Sequence, residues 1–363
     1  MSHQTKDVVL QSGAPSHPLA TFAVFAFNQE HYIRATIEGA LAQSYSPLEI
    51  ILSDDCSSDR TFEIMQEVVA AYKGPHKVHL HRPEKNLGVV NHIITVAKKA
   101  KGKYLIVNAG DDISYPERTE LLVKAFLETN AECINSLYDE LDDTGAIIAR
   151  SNAFPLSPST QRVFAKSNIA HREENIIQSA IGFAASYRTE FWANLPLSPI
   201  KLHIEDGLAT LLLNCIGAKI FTYPKSLIGY RVHEKSLSLR QASSGSQQAV
   251  FAREKKISDN GKQIIGTINY LFSYLENQNI SIEREVKKEL QKSLDYGSIT
   301  SHFWNLSFHE KLLRLLQARR SPIFKFILPR LFGKRLFYCT KSTSFFLKSI
   351  IINLKTFRTR TLH

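Results

Sequence analysis

The amino-acid sequence predicts an α/β protein, a mostly parallel sheet flanked by helices with a C-terminal helical extension. Three observations carry that expectation. Between residues 20 and 108 short β-rich runs alternate with helical patterns, as in repeated βαβ units. Acidic and hydroxyl residues gather directly after those runs, where a parallel sheet binds its ligands. Beyond residue 250 helical periodicity continues with no strand partners.

The elements follow in order. ATFAVFAF (20–27) is a continuous apolar run and reads as a buried strand, followed by a helix over 31–43. LEIILSD (48–54) is a second strand and 60–72 a second helix. VHLHR (78–82), a helix over 89–99 and KYLIVN (103–108) continue the alternation. The pattern loosens over 139–180, where Asp142, Asp143 and Gly145 suit a hairpin turn and SNAFPLSPST (151–160) a loop. A helix is expected over 205–216, a short strand over 219–223, a linker at GSQQA (245–249), and helices over 252–277 and 282–316. There is no internal repeat. The expected organisation is a polar leader (1–17), a catalytic domain (18–240), a helical extension (241–310) and a basic, apolar tail (311–363).

Composition narrows the function classes. With 363 residues, 44% hydrophobic and 22% charged, the chain is globular and large enough for a substantial core. Its net charge of +11 is concentrated: of 45 Lys and Arg, 13 lie in 311–363 with no acid, so 1–310 holds 32 against 34 Asp and Glu. The body is near neutral, which argues against a nucleic-acid-binding domain. Cys56, Cys133, Cys215 and Cys339 form no CxxC pair, so neither a zinc site nor a disulfide framework is expected. The first residues lack the apolar core of a signal peptide, and no run reaches the roughly 18 apolar residues of a spanning helix. A cytoplasmic location is expected.

The chemistry lies after the strands. The first leads into Phe27-Asn28-Gln29-Glu30 and the second into Asp54-Asp55-Cys56-Ser57-Ser58-Asp59. Ser58 or Asp59 suits capping of the next helix, whereas Asp55 sits too early to cap and suits a nucleobase N–H. The Gly-rich turn of dinucleotide and P-loop sites is absent. The strand over 103–108 runs into Ala109-Gly110-Asp111-Asp112. Two adjacent carboxylates repel unless a cation or strong donors lie nearby, and hard oxygen ligands of this kind suit Mg2+ or Mn2+. A solvated acidic turn before the helix at Pro116 is the plainer alternative. Further on stand His203-Ile204-Glu205-Asp206 and Tyr230-Arg231-Val232-His233. His79 and His81 share one strand face, suiting a cleft-lining strand better than a two-ligand metal site.

Taken together, a strand ending in Asn, a DD-x-S-x-D turn, Lys85-Asn86-x-Gly88, a strand ending in GDD, then Glu-Asp and Tyr-Arg-x-His resemble the family 2 inverting glycosyltransferases of GT-A fold, over about 18–240. The resemblance implies a nucleoside diphosphate sugar donor, a UDP-sugar first among them, and a glycan or lipid-linked acceptor, as in bacterial O-antigen or capsule assembly. It implies Asn28, Asp55, Asn86 and Asp111 on the donor, and Asp111, Asp112 and His233 at an Mg2+ or Mn2+ ion. It further implies Asp206 as catalytic base, with Glu205 and Arg188, in GFAASYRTEFW (182–192), on the acceptor side. Ala109 stands where the family commonly has an acid, and Phe25 and Phe27 where hydroxyl or Tyr residues often meet the base. A nucleotidyltransferase and a catalytically silent membrane-associated adaptor are the rival readings. The tail alternates bases with Phe, Leu and Ile, which suits an anionic membrane surface on the cytoplasmic side better than a core-packing helix or a nucleic-acid arm.

Overall fold

A computed structural model of the chain describes residues 17–150, 179–233, 247–282, 284–317 and 327. The chain divides into two compact units. The first lies within Met1–Phe154, Ala180–Leu197 and Ala218–Val232, and the second within Pro155–Ser179, Ser198–Gly217 and His233–His363. The expected loop at 151–160, residues 234–236 and most of the tail fall outside the described residues.

In the first unit β1 (Ala20–Ala26), β2 (Leu48–Asp54), β3 (Lys77–His81) and β4 (Tyr104–Ala109) alternate with α1 (Ile33–Leu41), α2 (Thr61–Ala71) and α3 (Val89–Ala97), within a few residues of the sequence reading. They lie in the order β3-β2-β1-β4, all parallel. Phe22, Val24, Ile50, Leu52, Tyr104 and Ile106 are buried in one core with α1 and α2, and alternate residues such as Ala23, Ile51 and Leu105 are also buried. Strands covered on both faces give continuous apolar runs, which is why these were legible. α1 buries Ile33, Thr36, Ile37 and Ala40, the i, i+3, i+4, i+7 stripe of a helix laid on a sheet. α4 (Arg118–Thr129) completes the layer through Phe126, stacked 4.5 Å from Tyr104.

Beyond β4 the pairing is mixed. β6 (Cys133–Leu141) pairs antiparallel with β7 (Ile147–Arg150) through the expected 142–145 turn, antiparallel with β8 (Ala185–Arg188), and parallel with β9 (Ile220–Arg231). β8 also pairs antiparallel with β4, and the two-residue β5 (Ile113–Ser114) with β9. β9 runs eight residues past the expected strand end at 223. Pro224 ends the sequence pattern, and the register jumps there from Tyr223 opposite Ser136 to Ser226 opposite Leu137, so Pro224 and Lys225 bulge from the ladder. The short α5 (Thr189–Ala193) follows β8 and packs on α3.

The second unit holds α6 (Glu205–Cys215), α7 (Gln247–Asn277), α8 (Arg284–His302) and α9 (Phe308–Gln317). α7 begins five residues before the helix expected at 252, and the pattern over 282–316 is two helices broken by a 3-10 turn, Phe303–Asn305. α7 and α8 touch at glycines: a Cβ on Gly261 would lie 2.8 Å from the Gly297 carbonyl. Ile299, Phe303 and Ile327 form a separate small core. Among the described residues no helix is long and apolar enough to cross a membrane.

Candidate active site

The carboxyl ends of β1, β2 and β4 form one rim, and the turns after them are tied together by side chains. Asn28 takes a left-handed φ of 53°, its N–H donates to Ser57 Oγ (2.8 Å), and its Oδ1 accepts from the Ser58 N–H (2.9 Å). The Gln29 N–H donates to Thr61 Oγ1 (2.8 Å) and the Glu30 N–H to Asp59 Oδ2 (3.2 Å). Asp59, one residue before the N-cap position at Arg60, accepts the Thr61 N–H at Oδ1 (3.0 Å), so it ties the start of α2 to the β1 turn rather than capping from that position. Burial works against its charge, but these hydrogen bonds hold its carboxyl below the usual range. Asp54 is fully buried, accepts from Ser57 and pairs with Arg82 (3.2 Å), a contact nothing in the sequence marked.

Asp55 meets the Lys-Asn-x-Gly segment directly. Its Oδ1 accepts the Leu87 N–H (2.7 Å), its Oδ2 the Gly88 N–H (3.0 Å), and Asn86 Nδ2 donates to its carbonyl (3.1 Å). Gly88 precedes α3 with φ 76°, where only glycine is unstrained. Beneath this rim Ser53 Oγ bridges His81 Nδ1 (2.9 Å) and His92 Nε2 (2.5 Å). Burial, aided by His81, pushes the His92 imidazole down to about 3, so it is neutral. His81 is thus committed to Ser53, against a His79–His81 metal pair.

The turn after β4 is the most heavily braced. Asn108 Nδ2 donates to the Ala109 (2.8 Å) and Asp112 (3.1 Å) carbonyls, and its Oδ1 accepts from Ser114 and from the buried Arg118. Thr36 Oγ1 donates to the Gly110 carbonyl (3.0 Å), and a Cβ on Gly110 would lie 2.7 Å from Ala26 Cβ. Asp112 is 1% exposed. Its Oδ1 accepts the Arg231 N–H (2.9 Å), while its Oδ2 is buried without a hydrogen-bond partner. Burial first, then the charge of Asp111, raises its carboxyl pKa well above the usual range. A divalent cation is the group that would relieve both the orphaned oxygen and the repulsion, so Asp111 and Asp112 fit an Mg2+ or Mn2+ ion. Among the described residues no cluster of three or more His, Cys, Asp or Glu is placed to hold a metal alone, so substrate oxygens would have to share such an ion.

Three expected site residues lie in the second unit. Glu205 and Asp206 open α6, with Asp206 Oδ1 accepting the Gly207 N–H (2.7 Å). They retain some surface, yet both carboxyl groups lie deep among protein atoms. Burial raises Asp206, and burial with the Asp206 charge raises Glu205 to about 8. His233 is buried just after β9.

Arg188 is placed elsewhere. It pairs with Tyr104 at the start of β4, about 20 Å along the strand from the Gly110–Asp112 turn at 3.3 Å per residue. There it meets Glu132 (3.1 Å), the Ala131 carbonyl (3.1 Å) and Asn130 Oδ1 (2.7 Å), which makes it a brace between strand ends. The structure does not bring Arg188 together with the Asp111–Asp112 turn: the strand direction of β8 carries this residue to the opposite end of β4. Arg231, given no role by the sequence, proves central to the rim; its only signal was its place in the Tyr-Arg-x-His segment.

A flanked α/β sheet with these acidic turns at its parallel rim is of the GT-A kind, and the same fold is seen in a mannosyltransferase from Pyrobaculum calidifontis solved with GDP-Man and Mn2+ (TM-score 0.50, 12% identity, covering 91% of this chain and 89% of that one). Residues 21–194 match the model of Glycosyl transferase family 2, and this domain belongs to that family. An uncharacterized glycosyltransferase of Haemophilus influenzae is 24% identical over 332 residues, 83% of this chain and 94% of that protein. Chondroitin synthase of Escherichia coli is 27% identical over 140 residues, 38% of this chain but 20% of the synthase.

Proposed function

We propose that this glycosyltransferase moves a sugar, with inversion, from a nucleoside diphosphate sugar to a hydroxyl of a glycan or lipid-linked acceptor. The observation that carries the proposal is the buried, partnerless Asp112 Oδ2 beside Asp111, at the rim of a family 2 domain. Asp111 and Asp112 would hold Mg2+ or Mn2+ together with the donor diphosphate, with His233 near that site by family resemblance. When bound, the cation supplies positive charge to the departing diphosphate.

This chain's own residues do the rest. Asp55, with the 86–88 segment that it latches, and Asn28 orient the nucleoside. Asp206 takes the acceptor hydroxyl proton at one of its carboxylate oxygens as the acceptor oxygen attacks the anomeric carbon, and the nucleoside diphosphate leaves from the opposite face. Its raised pKa makes it a stronger base than an exposed aspartate. Glu205 stands on the acceptor side. The assignment spans residues 18–240; similarity to chondroitin synthase favours a polysaccharide acceptor, and the family resemblance makes UDP-sugars the first donors to try.

The test is calorimetry of UDP and GDP with and without Mn2+, followed by transfer assays on Asp206→Asn. Nucleoside diphosphate binding should need the metal. The variant should lose roughly 10²–10⁴-fold in transfer with donor affinity within a few-fold, since a base acts mainly in the transition state. Full transfer in excess chelator would remove the metal from the proposal, and release of pyrophosphate instead of nucleoside diphosphate would point to nucleotidyl transfer.

A further inference from the structure

Arg231, at the end of β9, is 3% exposed and reaches three other segments of the first unit. Its N–H donates to Asp112 Oδ1 (2.9 Å) and its Nε to the Asp111 carbonyl (2.9 Å). Nη1 donates to the carbonyls of Asp142 (3.2 Å) and Asp143 (2.8 Å) in the β6–β7 turn. Its guanidinium carbon lies 5.2 Å from the centre of the Tyr32 ring, and the Tyr32 hydroxyl donates to Asp143 Oδ1 (2.5 Å). Gly145, at φ 94°, lets the turn close on the guanidinium, since a Cβ there would sit 3.4 Å from Nη1.

The Arg231 Nε and Nη1 hold main-chain carbonyls of two turns, one after β4 and one between β6 and β7. The consequence is positional. One rigid fork sets the distance between the Gly110–Asp112 turn and the 142–145 turn, and Tyr32 ties the start of α1 to the same point. Lysine cannot substitute, because a single ammonium on a flexible stem does not span both turns.

We propose that Arg231 is a positioning residue of the leaving-group site: it locks the Gly110–Asp112 turn by its main chain, so that the Asp111 and Asp112 carboxylates are set for a divalent cation and a diphosphate. The inference rests on the metal reading above. The test uses the full chain with Arg231→Lys and Arg231→Gln, reading Mn2+ binding by electron paramagnetic resonance, UDP binding in Mn2+ by calorimetry, and the KM values of donor and acceptor separately.

Loss of a residue that orients metal ligands should weaken Mn2+ and UDP affinity by about 10–100-fold. Donor KM should rise while acceptor KM stays within about twofold, because only the metal-bearing turn is loosened. Folded Arg231→Lys with unchanged Mn2+ and UDP affinity, and only a lower Tm, would overturn the inference. If both variants fail to fold, Tyr32→Leu decides, since it removes the ring and the Asp143 contact but leaves the hydrogen bonds from Arg231 to the two turns. It should weaken Mn2+ binding several-fold, and wild-type affinity would count against the clasp. Sugar transfer by the wild type without any Mn2+ binding would instead refute the metal reading, which is a separate outcome.

Discussion

Asp112 lies where a carboxylate charge is disfavoured, with one oxygen bonded to the Arg231 N–H and the other orphaned. Asparagine keeps the acceptor for that N–H and removes the charge. Metal-free Asp112→Asn should therefore be more stable than wild type by about 1 kcal/mol, a few degrees in Tm, and should lose the stabilisation that Mn2+ gives the wild type. Calorimetric melts with and without Mn2+ check both halves, and a metal-free variant less stable than wild type would contradict the account. Glu205 gives a pH signature. Its folded pKa of about 8 lies above the ordinary glutamate value of about 4.3, so between those values the folded state keeps a proton that the unfolded chain has released. Its contribution is intact below the lower value and is lost progressively as pH rises towards 8. Glu205→Gln should match wild type near pH 4.5 and be the more stable protein near pH 8.5, as measured by denaturant midpoints.

At the scale of elements, the start of α3 is where fold and site coincide. Asp55 belongs to the β2 turn, yet it accepts the N–H groups of Leu87 and Gly88, so one carboxylate caps the entry to α3 and shapes the rim. Gly88→Ala places a Cβ on a residue at φ 76° and should cost about 1–2 kcal/mol. Because the strain pulls the 88 N–H away from Asp55, UDP affinity should fall several-fold in the same variant, which calorimetry beside urea melts would resolve. Loss of stability with unaltered UDP affinity would separate the latch from the nucleotide site.

For the whole molecule, the near-neutral body and the tail call for different tests. The 13 bases of 311–363 have no acid among them and stand between Phe, Leu and Ile, so attraction and apolar insertion would act together at an anionic membrane. Full-length protein should sediment with anionic vesicles and less with neutral ones. Raising salt should weaken this binding without abolishing it, because screening leaves the apolar contribution in place. Equal sedimentation of the full chain and of 1–310 would remove the membrane role, and insolubility of 1–310 would mark the tail as part of the core.

The sequence by itself determined the parallel half of the sheet, because strands buried on both faces, as β1, β2 and β4 are, must be largely apolar and their helices must show a 3.6-residue stripe. It also determined where chemistry could lie: Asp55 and the Asp111-Asp112 pair follow strands, and the direction of a parallel strand puts such turns on one rim. Only tertiary structure decided what those groups touch. Arg188 looked like a site residue by its place in the chain, but the antiparallel pairing of β8 sends it to the far end of β4. Arg231 was marked only by its place in the Tyr-Arg-x-His segment, which says nothing of its partners: those at 32, 111, 112, 142 and 143 are distant in sequence and are brought together by β9 pairing beside β5 and β6. The bulge at Pro224 hid the length of that strand from any period-2 pattern. Local periodicity records which face a residue buries, whereas the partners of a buried polar group depend on register and strand order, which are set by contacts between segments far apart in the chain.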